Sequence, residues 1–174
     1  MTNRKNIAVV GATGAVGTVF LEMLEERKFP VADLRLCASE RSLGKRITVN
    51  GDQIEVELLS SELVEKVDMV FVSASSDISH LAASMIGDTN TILIDDSSAF
   101  RMDPDVPLIV PEVNSEALKD VKNIISIPNC STTPLVMALK PLHDNFSLKR
   151  VIVDTYQSVS GTGSAALDEL KTQT

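Results

Sequence analysis

The feature that most restricts the fold is a short apolar run at residues 6–10 that ends in Gly11-Ala12-Thr13-Gly14-Ala15-Val16-Gly17. A helical pattern carried by Phe20, Leu21 and Leu24 follows, and then a second apolar run at 34–38. Strand, glycine turn, helix, strand is the setting in which a dinucleotide's pyrophosphate is held. The glycines allow a tight turn and close backbone approach, and the first N–H groups of the helix point at the anion. The spacing is G-x-x-G-x-x-G rather than G-x-G-x-x-G, and the same physics applies. A bare glycine triplet often marks only a turn. The flanking strand and helix favour cofactor binding, with Gly11, Thr13, Gly14, Ala15 and Val16 as the expected contacts.

The end of the second strand selects the cofactor. An NAD site places an acid there for the ribose 2′-OH. This chain has Ala38-Ser39-Glu40-Arg41-Ser42-Leu43-Gly44-Lys45. Two hydroxyls, an arginine and a lysine suit a 2′-phosphate, provided Glu40 turns away; a solvated turn is the plain alternative. NADP is therefore expected, held in part by Ser39, Arg41 and Ser42.

Downstream, Asn50-Gly51 within residues 48–54 signals a hairpin turn. Strands are expected at 67–73, 91–94 and 123–127, and helices at 78–86 and 113–119. In the first of these helices Ile78, Leu81, Ala82 and Met85 mark the buried stripe. Alternating strands and helices predict an α/β fold, a Rossmann-like doubly wound parallel sheet with ligands outside the carboxyl ends of the strands. Polar clusters fall at those ends: Ser73-Ala74-Ser75, Asp95-Asp96-Ser97-Ser98, and Cys130.

Cys130 lies in Pro128-Asn129-Cys130-Ser131-Thr132-Thr133-Pro134, between a β-branched run and a helical pattern beginning at Leu135. Ser131, Thr132 or Thr133 can cap that helix, and Pro134 is tolerated in its first turn. Cys130 then sits at or just before a helix N-terminus, where orphan N–H groups and the dipole favour thiolate over thiol. Position alone allows two readings, a small buried hydrophobe or a nucleophile. The gathering of polar clusters on one sheet edge favours the nucleophile.

Composition narrows the partners. Sixteen Lys and Arg against 24 Asp and Glu give a net charge of −8, which disfavours nucleic acid and anionic membranes. No apolar run is long enough to span a bilayer, and no signal peptide or lipidation motif is evident. Two cysteines without framework spacing suggest a reducing, cytoplasmic setting. Cys37 reads as core filler. No Cys/His spacing suits a metal, so none is expected.

Six motifs in register now resemble the aspartate-β-semialdehyde dehydrogenase family. They are the glycine turn, Ser39-Glu40-Arg41-Ser42, Asp96-Ser97-Ser98-Ala99-Phe100-Arg101, Val110-Pro111-Glu112-Val113-Asn114, Pro128-Asn129-Cys130-Ser131-Thr132, and Thr155-Tyr156-Gln157-Ser158-Val159-Ser160-Gly161. The resemblance implies that β-aspartyl phosphate is reduced by NADPH to aspartate semialdehyde and phosphate. Cys130 would displace phosphate to give a thioester, and hydride would yield a thiohemiacetal that collapses to aldehyde. Gln157 would orient the substrate carbonyl. Arg101 and Asn129 would hold the phosphate, Ser73 and Ala74 would join the cofactor contacts, and Gly161 would pack near the nicotinamide. In the family the full-length protein is a homodimer or homotetramer.

Taken by themselves, Arg101 reads as a surface arginine and Gln157 as the odd polar member of an otherwise apolar strand face at 149–158. Tyr156, on the opposite face, reads as packing. Neither histidine suits an acid/base role. His143, thirteen residues beyond Cys130 on the same helix, lies ~20 Å away at ~1.5 Å per residue. His80 falls beside a buried stripe, at the surface. The family draws its histidine and a second arginine from the later half of a longer chain. This sequence is therefore expected to be the amino-terminal part: an NADP-binding domain over 1–128, then over 129–174 the nucleophile helix and the truncated start of an α+β catalytic and dimerisation domain. Semialdehyde-dependent NADPH formation by these 174 residues at a normal rate would refute that. The rivals are an N-acetyl-γ-glutamyl-phosphate reductase-like enzyme, separated by testing both acyl phosphates, and a non-catalytic dinucleotide-binding module.

Overall fold

The computed structural model describes residues 4–87 and 89–173. At its centre β1 (Lys5–Val10) alternates between two cores. Ile7 and Val9 pack with Leu21 and Leu24 of α1 (Ala15–Glu26), while Ala8 and Val10 pack on the other face with Leu63, Val64, Ala82 and Ile86. A strand buried on both faces needs a continuous apolar run, and residues 7–10 supply it. The second face is covered by α2 (Ser61–Val64) and α3 (Ser76–Ile86). Helices on both sides make the sheet doubly wound, as expected.

The remaining strands are β2 (Val31–Cys37), β3 (Arg46–Val49), β4 (Asp52–Glu57), β5 (Met69–Val72), β6 (Ile92–Asp95) and β7 (Ile124–Ser126). They form one seven-stranded sheet in the order β3-β4-β2-β1-β5-β6-β7. The β3–β4 pair is antiparallel and the other pairs are parallel. The hairpin turns at Asn50 and Gly51, both at positive φ (51° and 87°), as a type I′ turn requires. From β1 the chain moves one way to β2 and returns on the other side at β5. The carboxyl ends of β1 and β5 therefore flank the crevice where this architecture binds ligands.

Several expectations are corrected. On α3, Ile78, Ala82 and Met85 face the core as expected, whereas Leu81 is left 45% exposed and the buried positions include Ser79, which donates to a buried carboxylate on β6. Residues 113–119 divide between α4 (Pro111–Asn114) and a 3-10 turn. No strand forms over 149–158, because no described strand pairs with it. Ile152 and Tyr156 stand 83% and 101% exposed, so among the described residues Tyr156 is not the packing residue expected. Beyond β7 the chain forms α5 (Thr132–Phe146), which has no buried residue, and α6 (Ser164–Gln173). No described helix is long and apolar enough to cross a membrane.

Candidate active site

The glycine turn is built by contacts that only glycine permits. Gly11 adopts φ +87°, and a Cβ there would lie 2.1 Å from the Ser73 carbonyl oxygen. A Cβ at Gly17 would lie 2.2 Å from the Gly11 oxygen, so the helix sits hard against the turn. The Gly11 and Ala12 N–H groups donate to Cys37 O (2.9 and 3.1 Å). Gly14 is the N-cap of α1, with no side-chain cap and no acid in the first turn. Thr13, Gly14, Ala15 and Val16 are all exposed around that end. An uncapped helix N-terminus with no acid in its first turn, and two obligatory glycines, fit a dinucleotide pyrophosphate.

The loop after β2 is joined to this turn through Ser42. Thr13 Oγ1 and Lys45 Nζ both donate to Ser42 Oγ (3.3 and 3.4 Å). Ser42 is buried, while Ser39, Glu40 and Arg41 are exposed. The 2′-phosphate candidates thus divide, Ser39 and Arg41 facing solvent and Ser42 bracing the loop. On the other side of the crevice the Ser73 N–H donates to Val10 O (2.9 Å), and Ala74 is exposed beside it.

Sequence reading missed Asp95. Its carboxylate is fully buried and accepts from Ser79 Oγ, from the Ser97 N–H (3.2 Å) and from Ser97 Oγ (3.0 Å). An Asp at a strand end with Ser two residues on is an Asx-turn signal, and it was available. That turn leads to Arg101, whose guanidinium donates through Nε to Ile127 O (3.0 Å) and through Nη2 to Asp96 O (2.8 Å). Arg101 is therefore no free surface arginine. It is held beside the segment that carries Cys130.

That segment turns on Asn129. Its carbonyl accepts from the Thr132 and Thr133 N–H groups (2.8 and 3.2 Å). Its Oδ1 accepts from the Ser131 N–H and Ser131 Oγ (3.0 and 2.8 Å), and the Cys130 thiol lies 3.7 Å from it. Ser131 occupies the N-cap position but its side chain caps nothing; the expected Ser or Thr cap is absent, the first helical N–H groups going to the Asn129 main-chain carbonyl while its amide oxygen closes a turn on the Ser131 N–H. Cys130 is exposed just before α5. Gln157 Nε2 donates to its Sγ at 3.3 Å. Gly161 closes over Gln157, since a Cβ there would meet Nε2 at 2.9 Å. Among the described residues the sulfur's hydrogen-bond partners are Asn129 and Gln157. His143 lies in the last turn of α5, and exposed His80 meets Phe100 edge-on at 4.9 Å. Cys37, by contrast, is wholly buried, which pushes its thiol up to about 12.

The family description "Semialdehyde dehydrogenase, NAD binding domain" matches residues 6–121. The chain belongs to the semialdehyde dehydrogenase family. Residues 6–121 are its nicotinamide-dinucleotide-binding domain, and a second description, "Semialdehyde dehydrogenase, dimerisation domain", matches residues 139–174. Aspartate-semialdehyde dehydrogenase of Aquifex aeolicus is 52% identical over 97% of this chain and 50% of its own length. That of Rickettsia bellii is 46% identical over 100% of this chain and 52% of its own. The chain thus spans about half the length of the curated relatives it matches. Among solved structures, aspartate semialdehyde dehydrogenase II from Vibrio cholerae superposes with a TM-score of 0.91 at 45% identity, covering 99% of this chain and 52% of that one. The enzyme from Candida albicans, solved with NADP, gives a TM-score of 0.65 at 28% identity, covering 84% and 48%.

Proposed function

We infer that this semialdehyde dehydrogenase chain supplies the cofactor site and the nucleophile for NADP-dependent reductive dephosphorylation of β-aspartyl phosphate to aspartate semialdehyde. The observation that carries this is the Cys130–Gln157 contact of 3.3 Å: it brings an amide donor to an exposed thiol that follows β7, whose carboxyl end lies on the same edge of the sheet as the glycine turn after β1. The bound cofactor supplies hydride. Cys130 attacks the acyl carbon, and the carbon–oxygen bond to phosphate breaks with its electrons leaving on the phosphate, which gives a thioester. Gln157 orients the acyl oxygen through its amide N–H. Arg101 spends two of its five donors on backbone carbonyls and keeps three for the phosphate. Asn129 commits its amide oxygen to the turn and offers its NH₂ to the same anion. Gly161, small and seated on Gln157, leaves space for the nicotinamide.

The division of labour falls at residue 128. Residues 1–128 hold the cofactor and 129–174 open the catalytic and dimerisation part, the whole protein working as a cytoplasmic homodimer or homotetramer. The acid/base histidine is neither His80 nor His143, so this chain alone forms the Cys130 adduct without sustained turnover. Mixing it with β-aspartyl phosphate should release one phosphate per chain and add an aspartyl group to Cys130 by mass spectrometry. Absence of both, or equal release by Cys130→Ser, would end this reading.

The preference for NADP rests on exposed Arg41 and Ser39 at the end of β2 and on the NADP-bound relative from Candida albicans. Arg41→Ala should weaken NADPH binding at least tenfold more than NADH binding, measured by cofactor fluorescence. Equal losses for both would defeat the assignment.

A further inference from the structure

Asp96 stands between the cofactor turn and the arginine beside Cys130, and it is bonded to both sides. Its backbone N–H donates to Val72 O (2.9 Å), which fixes it next to the end of β5. Its Oδ2 accepts from Ser73 Oγ (3.1 Å), and the Ser73 carbonyl is the atom that leaves no room for a side chain at Gly11. On the other side its carbonyl accepts from Arg101 Nη2 (2.8 Å), and Arg101 Nε is tied to Ile127 O (3.0 Å). Contacts therefore run unbroken from Gly11 through Ser73, Asp96 and Arg101 to the segment that leads into Asn129 and Cys130. Burial pushes the Asp96 carboxyl up, against the Ser73 hydrogen bond and the charge of Arg101. A carboxylate is a costly choice for a turn that only needs to be polar.

We propose that Asp96 is a positioning residue that couples the two halves of the site. A dinucleotide pressed onto the Gly11 turn restrains Ser73, and Asp96 carries that restraint to Arg101, so cofactor and phosphate bind more tightly together than apart. The proposal rests on the reading above, in which the glycine turn holds NADPH and Arg101 holds the phosphate. Such coupling is reciprocal by thermodynamic necessity, and it travels through packed, hydrogen-bonded contacts of this kind.

Inorganic phosphate is titrated against the rate of Cys130 alkylation by iodoacetamide, with and without saturating NADPH, and NADPH is titrated by its fluorescence with and without phosphate. Each ligand should tighten the other about fivefold or more. Asp96→Ala should abolish that factor while each ligand still binds singly. Asp96→Asn, whose side-chain oxygen can still accept from Ser73, should restore it. Asp96→Leu, of similar size and with no acceptor for Ser73, carries the same test should Asp96→Ala fail to fold. A merely structural role would lower the melting temperature without changing the ratio of affinities. Coupling that survives in Asp96→Ala, fails to return in Asp96→Asn, or is absent from the unaltered chain when both ligands bind would overturn the proposal and leave the functional reading standing. An unaltered chain that binds neither NADPH nor phosphate would overturn that reading itself.

Discussion

The two thiols of this chain should behave as opposites. Cys130 is exposed and Cys37 is wholly buried, so a disulfide-exchange reagent should titrate one thiol per folded chain and two in denaturant. Cys37 also carries a pH signature. Its folded value is raised from 9.0 to about 12, first by burial and then by the nearby Glu57. The unfolded chain therefore loses this proton first as pH climbs. The stability involved is complete below about pH 9 and is lost progressively toward pH 12. Urea midpoints should fall across that window, and Cys37→Ala, though less stable at pH 8, should fall less steeply. At Gly11, alanine would meet both a left-handed backbone and the Ser73 carbonyl. Gly11→Ala should cost at least ~1–3 kcal/mol of stability in urea denaturation and abolish NADPH binding. These glycines were legible from the sequence because a strand and a helix flank them. Asp95 and Asp96 were not separable on sequence grounds, since adjacent carboxylates at a strand end differ only by the face each one enters.

At the scale of elements, local chemistry foretold whatever local chemistry decides. Asn50-Gly51 made its hairpin, the glycine turn opened α1, and Cys130 fell just before α5. Most of what was misread depends on partners distant in sequence, the missing Ser or Thr cap of α5 being the local exception. Leu81 was assigned inward by periodicity, yet Ser79 takes that place because Asp95 waits on β6. Residues 149–158 have strand composition, but a strand exists only with a neighbour to pair with. The approach of Gln157 to Cys130, 27 residues apart, was suggested by family resemblance and by nothing in the spacing. The Asn129 turn yields a further prediction. Asn129→Ala should cost about 1 kcal/mol, as the loss of a side-chain hydrogen bond to the turn does, and should change the alkylation rate of Cys130. Ser131→Ala should cost less, since its hydroxyl only returns to Asn129. Equal costs in thermal melts would show that the Asn129 side chain does not hold the turn.

The molecule as a whole exposes 11558 Å² for 18.8 kDa, whereas a compact monomer of that mass would show roughly 8,300 Å². Met137, Leu142, Phe146, Val151, Ile152 and Tyr156, all exposed on or just after α5, contribute apolar surface to that excess. Patches of this kind seek cover. Sedimentation should show association that rises with concentration, and replacing Phe146 and Ile152 with lysine should shift the chain toward monomer. Because α5 buries no side chain whereas β1 is walled in on both faces, deuterium should enter the amides of α5 early and those of β1 last. On that expectation the sulfur of Cys130, between β7 and α5, would mark the frontier between slowly and rapidly exchanging backbone.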